Sequence, residues 1–272
     1  MPQFLQDVHA LLTPQHMLVL VLTLSRISGL VMIAPVFGSA DVPVRIRGLL
    51  ALALALVILP TNWGSSPPEP ATLLDFLTMV ATEVILGFAL GAGVWLLLMG
   101  VQLGGMLVSQ ASGLSLADVF NPNLDSSTPV LGHFLYLIAT AIFLTIGGHR
   151  ALIAALLESF STVPLGQSPL TLMLPEMLND ITAQSFNLAI RVAAPGVAAL
   201  LLATVVLGMI GRALPQLNVM IVGVGLNAML AAGVLALSMG TMAWAFQDEL
   251  EPVLQRLFET IGTSLPDGWL TG

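Results

Sequence analysis

No cysteine occurs among the 272 residues of the chain, which excludes disulfides, thiolate metal sites and cysteine nucleophiles. Lysine is also missing, so all seven basic residues are arginine. Charged residues make up only 8%, where a soluble domain carries roughly 25%. A chain so poor in charge cannot cover a water-facing surface in the usual way. Its 15 acidic residues leave a net charge of −8. That sign excludes the basic face that nucleic acid requires and a polybasic lipid-surface anchor. What is abundant is apolar. The hydrophobic set supplies 57% of the residues, and the mean hydropathy is +0.97. These residues come in long runs, and a run of about 20 spans a bilayer as a helix. The composition describes an integral membrane protein, or a piece of an equally apolar assembly, and it points to no enzyme.

Positive charge opens a cleaved secretory signal, but the first 25 residues hold Asp7 and no arginine. The apolar run from Met17 to Pro35 outlasts a signal core, so it is expected to stay as a first helix. Further blocks follow at Gly48–Leu59, Ala71–Ser112, Val130–Ile146 and Ala151–Val163, then at Ile181–Ile210 and Asn218–Phe246. Breaks fall at Pro35, at Pro60 with the turn-rich Thr61–Pro70, and at Gly147-Gly148; Pro lacks a donor and Gly lacks backbone stiffness. The sequence also predicts a loop over Gly113–Pro129, a Pro-studded connector over Pro164–Asp180 and a tight turn over residues 211–217. The Ala71–Ser112 block contains no proline and would extend about 60 Å as one helix, twice the hydrocarbon thickness. The acidic tail Gln247–Gly272 is expected to form an amphipathic helix around Val253, Leu254, Leu257 and Phe258 at helical spacing. No repeat period is visible, and the chain reads as one all-α unit. Arg45, Arg47 and Arg212 place their loops in the cytoplasm by the positive-inside rule. Six crossings then put both termini on the far side, with Arg150 an exception.

Several motifs invite a chemical reading. Gly223-Val224-Gly225-Leu226-Asn227-Ala228 matches G-x-G-x-x-A, with Asp248 downstream, but that fingerprint needs a strand before it and a helix opening at it. Gly113-Leu114-Ser115-Leu116-Ala117 is an imperfect nucleophile elbow, which needs a strand-to-helix turn plus histidine and acid partners. His9, His16, His133 and His149 form no pair at metal-ligand spacing, so packing and helix-end roles are expected of them.

Small residues are more informative. Gly87/Gly91 and Gly100/Gly104 are G-x-x-x-G pairs, which let helix backbones approach closely in lipid. Three charges, Arg26, Glu83 and Arg191, lie inside apolar blocks. A charge at a helix centre costs roughly 2.5–3.5 kcal/mol on insertion scales, so each must face protein or water. A transport path and a buried assembly contact are the two open readings. The polar neighbours Ser25, Ser28, Gln102, Gln184 and Asn187 mark faces that meet other protein.

These residues also carry a resemblance. Arg26-Ile27-Ser28-Gly29-Leu30, Ala34-Pro35-Val36-Phe37-Gly38, Val42-Pro43-Val44-Arg45 and the run GLLALALALVILP resemble the opening of the FliR family. These are flagellar export-gate proteins related to the SctT proteins of type III secretion. The likeness continues through Glu83–Gly87 and Ala89–Gly91, and it is strongest from Gln110 to Gly166. Within that stretch Phe143–His149 keeps a Phe-Leu-x-x-x-Gly-His segment, and Ser159–Gly166 keeps a Ser/Thr-Phe-x-x-x-Pro-Leu/Ile-Gly ending. It resumes at Arg212–Asn218 and Val222–Gly225. The family often carries a Pro-containing turn where this chain has Val224-Gly225-Leu226-Asn227, so a less kinked start of the last helix is expected.

The resemblance implies a non-enzymatic subunit, without cofactor or metal, of the gate through which unfolded flagellar subunits leave the cytoplasm. It implies multi-pass residence in the bacterial inner membrane at the flagellar basal body. FliP- and FliQ-like subunits are the implied partners in a helical assembly, with FlhB- and FlhA-like proteins around and beneath it. It further implies a FliP-like part over residues 17–180, a FliQ-like hairpin over 181–246 and an acidic tail over 247–272, with helices raised largely above the bilayer plane. Arg26, Glu83 and Arg191 become candidate buried assembly charges. The loop around Gly113, Leu114, Ser115, Leu116, Val119, Phe120, Asn121 and Pro122 becomes a candidate channel plug. Its apolar side chains suit a dewetted constriction, and Gly113, Asn121 and Pro122 permit sharp turns. An injectisome gate subunit and a small-solute transporter remain the alternatives, although a transporter tends to show paired broken helices in two halves and none is visible.

Overall fold

The structure, a computed structural model, describes residues 13–38, 42–113, 130–167, 174–213 and 219–261. Among them every regular element is a helix. Helix α1 (Pro14–Ile33) opens on Thr13, whose hydroxyl accepts from the His16 N–H, with Pro14 in the first turn, where a missing N–H goes unnoticed. Helix α2 (Val44–Ile58) ends in a 3₁₀ turn at Leu59–Asn62 that contains Pro60. Helix α3 (Leu73–Ser112) begins with a reciprocal cap: the Asp75 N–H donates to the Thr72 hydroxyl at 3.1 Å, and the Thr72 N–H donates to the Asp75 carboxylate at 2.9 Å, satisfying two otherwise orphaned donors. Helices α4 (Val130–Thr145) and α5 (Gly148–Thr162) are separated where Gly147 takes φ +79°. This is the expected Gly147-Gly148 break. The chain continues into α6 (Leu174–Ala213) and α7 (Val219–Ile261).

Two boundaries differ from the sequence reading. The connector expected to reach Asp180 turns helical at Leu174, because Pro175 falls in the first turn, where its N–H is not needed. The last block does not stop at Phe246 but continues through Pro252 to Ile261. An interior proline removes a helical hydrogen bond at a cost of about 3 kcal/mol. Here Val253, Leu254 and Leu257 are buried directly after it, and that burial holds the helix together. Glu251, Gln255 and Glu259 are exposed beside them, so the described part of the tail, as far as Ile261, is amphipathic; residues 262–272 lie outside the described residues. Four helices among the described residues are long and apolar enough to cross a membrane, or five if α4 and α5 count as one span. The sixth expected crossing falls in α7, whose residues 219–246 carry no charge.

Contacts gather the chain into two units. One holds the residues up to Trp95, Ile146–Asp180 and those from Val253 on; the other holds Leu96–Thr145 and Ile181–Pro252.

In the first unit, Leu18, Val19, Leu22 and Leu165 form a core flanked by Leu59, Phe76, Met79 and Phe160. Helix α1 meets the first part of α3 through glycine. A methyl group at Gly87 would lie 1.8 Å from the Arg26 carbonyl oxygen, and one at Gly29 would lie 2.2 Å from that of Val84. In the second unit, a methyl group at Gly100 would lie 2.4 Å from the Ser185 carbonyl oxygen, and one at Gly104 2.9 Å from that of Ala189. Both G-x-x-x-G pairs therefore serve contacts within the chain, between helix backbones that no side-chain layer separates.

Gly87→Val should abolish the folded chain, exceeding the ~1–3 kcal/mol of ordinary overpacking, because the obstacle is backbone and cannot rotate away. Gly48→Ala, at a helical position with nothing within 4 Å of the added methyl, should instead be neutral or stabilise by up to about 1 kcal/mol. Steady-state level in membranes and thermal aggregation in detergent read both outcomes; equal behaviour of the two variants would overturn the packing account.

Candidate functional site

The most developed polar constellation lies in the first unit, where three helices converge on two charges. Arg26 comes from α1 and Glu83 from α3, and both side chains are 0% exposed. The Arg26 Nε–H donates to Glu83 Oε2 at 2.6 Å. Its Nη1 donates to the Ser159 carbonyl at 2.7 Å and the Ser159 hydroxyl at 3.2 Å, and its Nη2 donates to the Val163 carbonyl at 3.0 Å. Glu83 uses its second oxygen to accept from the Gly166 N–H at 2.8 Å. The Phe160 ring covers the guanidinium, 4.5 Å from ring centroid to Cζ, a distance at which a cation is attracted to the aromatic face.

The last carbonyls of a helix carry partial negative charge, and the Ser159 carbonyl accepts from the Val163 N–H at 3.0 Å as well as from Arg26. Arg26 supplies the cation for the end of α5, and Glu83 supplies the anion for the backbone just beyond it. Gly166 stands at φ +75°, a conformation open to glycine, which aims its N–H at Glu83. The Ser159–Gly166 motif is thus the receptor for a buried ion pair. The sequence identified the two charges and the motif separately. It did not reveal that they belong together, because 57 residues separate Arg26 from Glu83 and 133 separate it from Ser159. Neither charge reaches the surface, so this arrangement has no group free to meet a substrate or a neighbouring chain.

Arg191 is placed differently. Its side chain is 48% exposed, not buried within the chain, and its Nη1 stands 3.0 Å from Glu249 Oε1 and 3.6 Å from Asp248 Oδ2. Arg256 pairs with Asp180. Of the polar residues expected to face other protein, Ser25 and Ser28 bond back to carbonyls of their own helix, Gln102 and Gln184 are half-buried and Asn187 is exposed.

His16 bonds the Thr13 hydroxyl at 2.7 Å and packs on Trp63, while His133 stacks on Tyr136; His9 lies outside the described residues. Among the described residues, no group of three metal-ligating side chains forms. Gly223–Ala228 lies inside α7, not at the strand-to-helix junction a dinucleotide site requires. Of the candidate plug, Gly113 ends α3 at φ +77°, and Leu114, Ser115, Leu116, Val119, Phe120, Asn121 and Pro122 lie outside the described residues.

Helices this apolar, with their buried polar groups devoted to fixing one helix against another, define a polytopic all-α membrane protein. The family model described as Bacterial export proteins, family 1, matches residues 17–253, so the chain belongs to that family. It is similar to the flagellar biosynthetic protein FliR of Aquifex aeolicus, 31% identical over 238 residues that cover 86% of this chain and 92% of the relative. The FliR proteins of Caulobacter vibrioides and Escherichia coli are 27% and 28% identical, each over 246 residues and 90% of this chain, and over 98% and 90% of their own lengths. The chain is a membrane-embedded component of the flagellar export apparatus.

Removing one partner of a buried ion pair costs about 3–5 kcal/mol, so Arg26→Leu should strongly reduce the folded chain. The exchange Arg26→Glu with Glu83→Arg should not rescue it. Two carbonyls need a cation from α1, and the Gly166 N–H needs an anion from α3. Recovery of folded protein from membranes by the exchanged variant, equal to the parent, would show that only mutual attraction matters.

Proposed function

We propose that the chain is a non-catalytic subunit of the export gate in the bacterial inner membrane. It lines part of the channel for unfolded flagellar subunits beside FliP- and FliQ-like neighbours, with FlhB- and FlhA-like proteins in attendance. The family match across residues 17–253 carries this reading. The exposed apolar surface of the hairpin supports it: Leu201, Leu202, Val205, Val206 and Met209 of α6 and Met229 and Trp244 of α7 are all more than half exposed, and such a surface needs lipid or protein against it. The antiparallel course of α6 and α7, in which Arg191 faces Glu249 while a methyl group at Gly223 would lie 3.5 Å from the Leu207 side chain, supports reading residues 181–246 as the FliQ-like hairpin. The flagellar names of the relatives favour a flagellar gate over an injectisome gate.

Loss of the gene should leave cells without a motility halo and with flagellar subunits retained in the cytoplasm, both reversed by the wild-type gene. Normal export without the chain would refute the reading. Tagged chain should also co-purify with its FliP- and FliQ-like neighbours.

In the same reading the segment Gly113–Thr128 plugs the idle channel, since an open water path would leak ions under the membrane potential. Deleting Ser115–Asp125 should let small ions or dyes enter cells that hold the assembled gate, without loss of assembly. A deleted gate that assembles and stays as tight as the parent makes the segment an ordinary connection.

A further inference from the structure

The second unit carries a cleft of about 480 Å³ between α6 and α7. Its apolar lining comes from Val192, Met242 and Ala245, which are buried, and from Trp244, which is 67% exposed. Two charged side chains line it as well, Arg191 and Asp248. The charges here do not balance. The Arg191 guanidinium stands 3.0 Å from Glu249 and 3.6 Å from Asp248, so one cation serves two carboxylates. Glu249 is the nearer partner and only 13% exposed, while Asp248 is 50% exposed. Glu251, further along α7, is exposed too. The other arginine among the described residues of this unit is Arg212, 21 residues on, which is about 31 Å along a helix. Contact with water is what makes the excess carboxylate tolerable.

The surroundings of the cleft are apolar. On α6, Phe186 and Ile190 precede Arg191, Leu201 and Leu202 follow it, and all four are more than half exposed. In the gate reading, on which this inference rests, a helix of a neighbouring subunit covers such a surface. A helix laid there takes water from Arg191, Asp248 and Glu249 together. The cluster then holds one negative charge without a cation, and an unpaired carboxylate out of water costs several kcal/mol. The covering helix must bring the missing positive charge with it. The lining suits that task. Apolar walls accept the aliphatic stem of an Arg or Lys side chain, and a carboxylate is the partner for its head. An exposed indole face adds attraction for a cation within about 6 Å.

We propose that this cleft is the docking site for one basic side chain, Arg or Lys, carried by a helix of a neighbouring gate subunit. The stem lies against Val192, Met242 and Ala245, and the charge pairs with Asp248 beside Trp244.

The complex recovered when the full chain is co-expressed with its FliP- and FliQ-like neighbours tests this. Asp248→Arg should lower co-purification of the docked neighbour at least about tenfold, which corresponds to 1.4 kcal/mol. The level of the chain itself in membranes should not change, because the side chain is half exposed. Asp248→Asn should also lower co-purification, and Asp248→Glu should retain it. Photocrosslinking from benzoylphenylalanine at position 244 should reach a residue of the neighbour within one helical turn of an Arg or Lys. Exchanging that basic residue for Glu should then rescue Asp248→Arg. The crosslink keeps the test decisive if Asp248→Arg does not fold. Co-purification of Asp248→Asn at the parent's yield shows that the site needs no cation and overturns the proposal. So does a crosslink to lipid, or to a stretch of neighbour with no basic residue within a turn. Failure of the parent chain itself to co-purify with either neighbour would overturn the gate reading along with the docking site, which separates the two failures.

Discussion

Arg26 and Glu83 have no exposure to water, and an isolated charge in such a place costs several kcal/mol even after the protein relaxes. Their mutual attraction offsets only part of that. The remainder comes from backbone: two carbonyls at the end of α5 for the guanidinium and one N–H beyond it for the carboxylate. All of these bonds are satisfied only when α1, α3 and the end of α5 stand in one register. A purely apolar core tolerates sliding, because one leucine contact resembles the next, whereas this constellation does not. In a chain that is 57% hydrophobic, the few buried charges supply the specificity that apolar packing lacks.

The ion pair in turn depends on how closely the helices approach. Helices separated by side chains usually lie 8–10 Å apart. At Gly29 and Gly87 that intervening layer is missing, and the contacts fall beside the charges themselves: the atom nearest Gly87 is the carbonyl oxygen of Arg26, and the one nearest Gly29 is that of Val84, next to Glu83. The glycines bring the backbones together at the level where the short Glu83 side chain must reach both the guanidinium and Gly166. Small residues and buried charges are therefore two parts of one device. The Ser159–Gly166 motif is the third, since its hydroxyl, ring, carbonyls and glycine N–H all face the pair.

Much of this was legible in the sequence, and the parts that were not share a cause. Long apolar runs gave the helices, the Gly147-Gly148 break appeared where expected, and Arg26 and Glu83 stood out because their surroundings are apolar. Which partner each charge takes was not legible, because the separations are long and periodicity informs only on neighbours along one helix. Proline was overread as a breaker at Pro175, which a first turn tolerates. Arg191 was legible as a charge in an apolar block, but its half-exposure was not, because a single helix does not reveal which of its faces will be covered.

Helices α3 and α6 show how far hydropathy alone reaches. Their apolar windows have nearly the same mean hydropathy, 2.3 and 2.2, yet 67% of the first is buried and only 22% of the second. Each is 40 residues long, about 60 Å as helix, twice the hydrocarbon core. For α6 the excess resolves once polarity is followed along the helix. The stretch before Arg191 carries Glu176, Asn179, Asp180, Gln184 and Asn187, which belong in water or against protein, and the uncharged stretch between Arg191 and Arg212 has the length of one bilayer crossing. For α3 the burial resolves it differently: glycines and small residues turn its apolar surface inward, so its hydropathy measures contact with its own chain more than with lipid. Equal hydropathy thus covers two physical situations, and only the charges at the ends of a stretch and the glycines within it tell them apart.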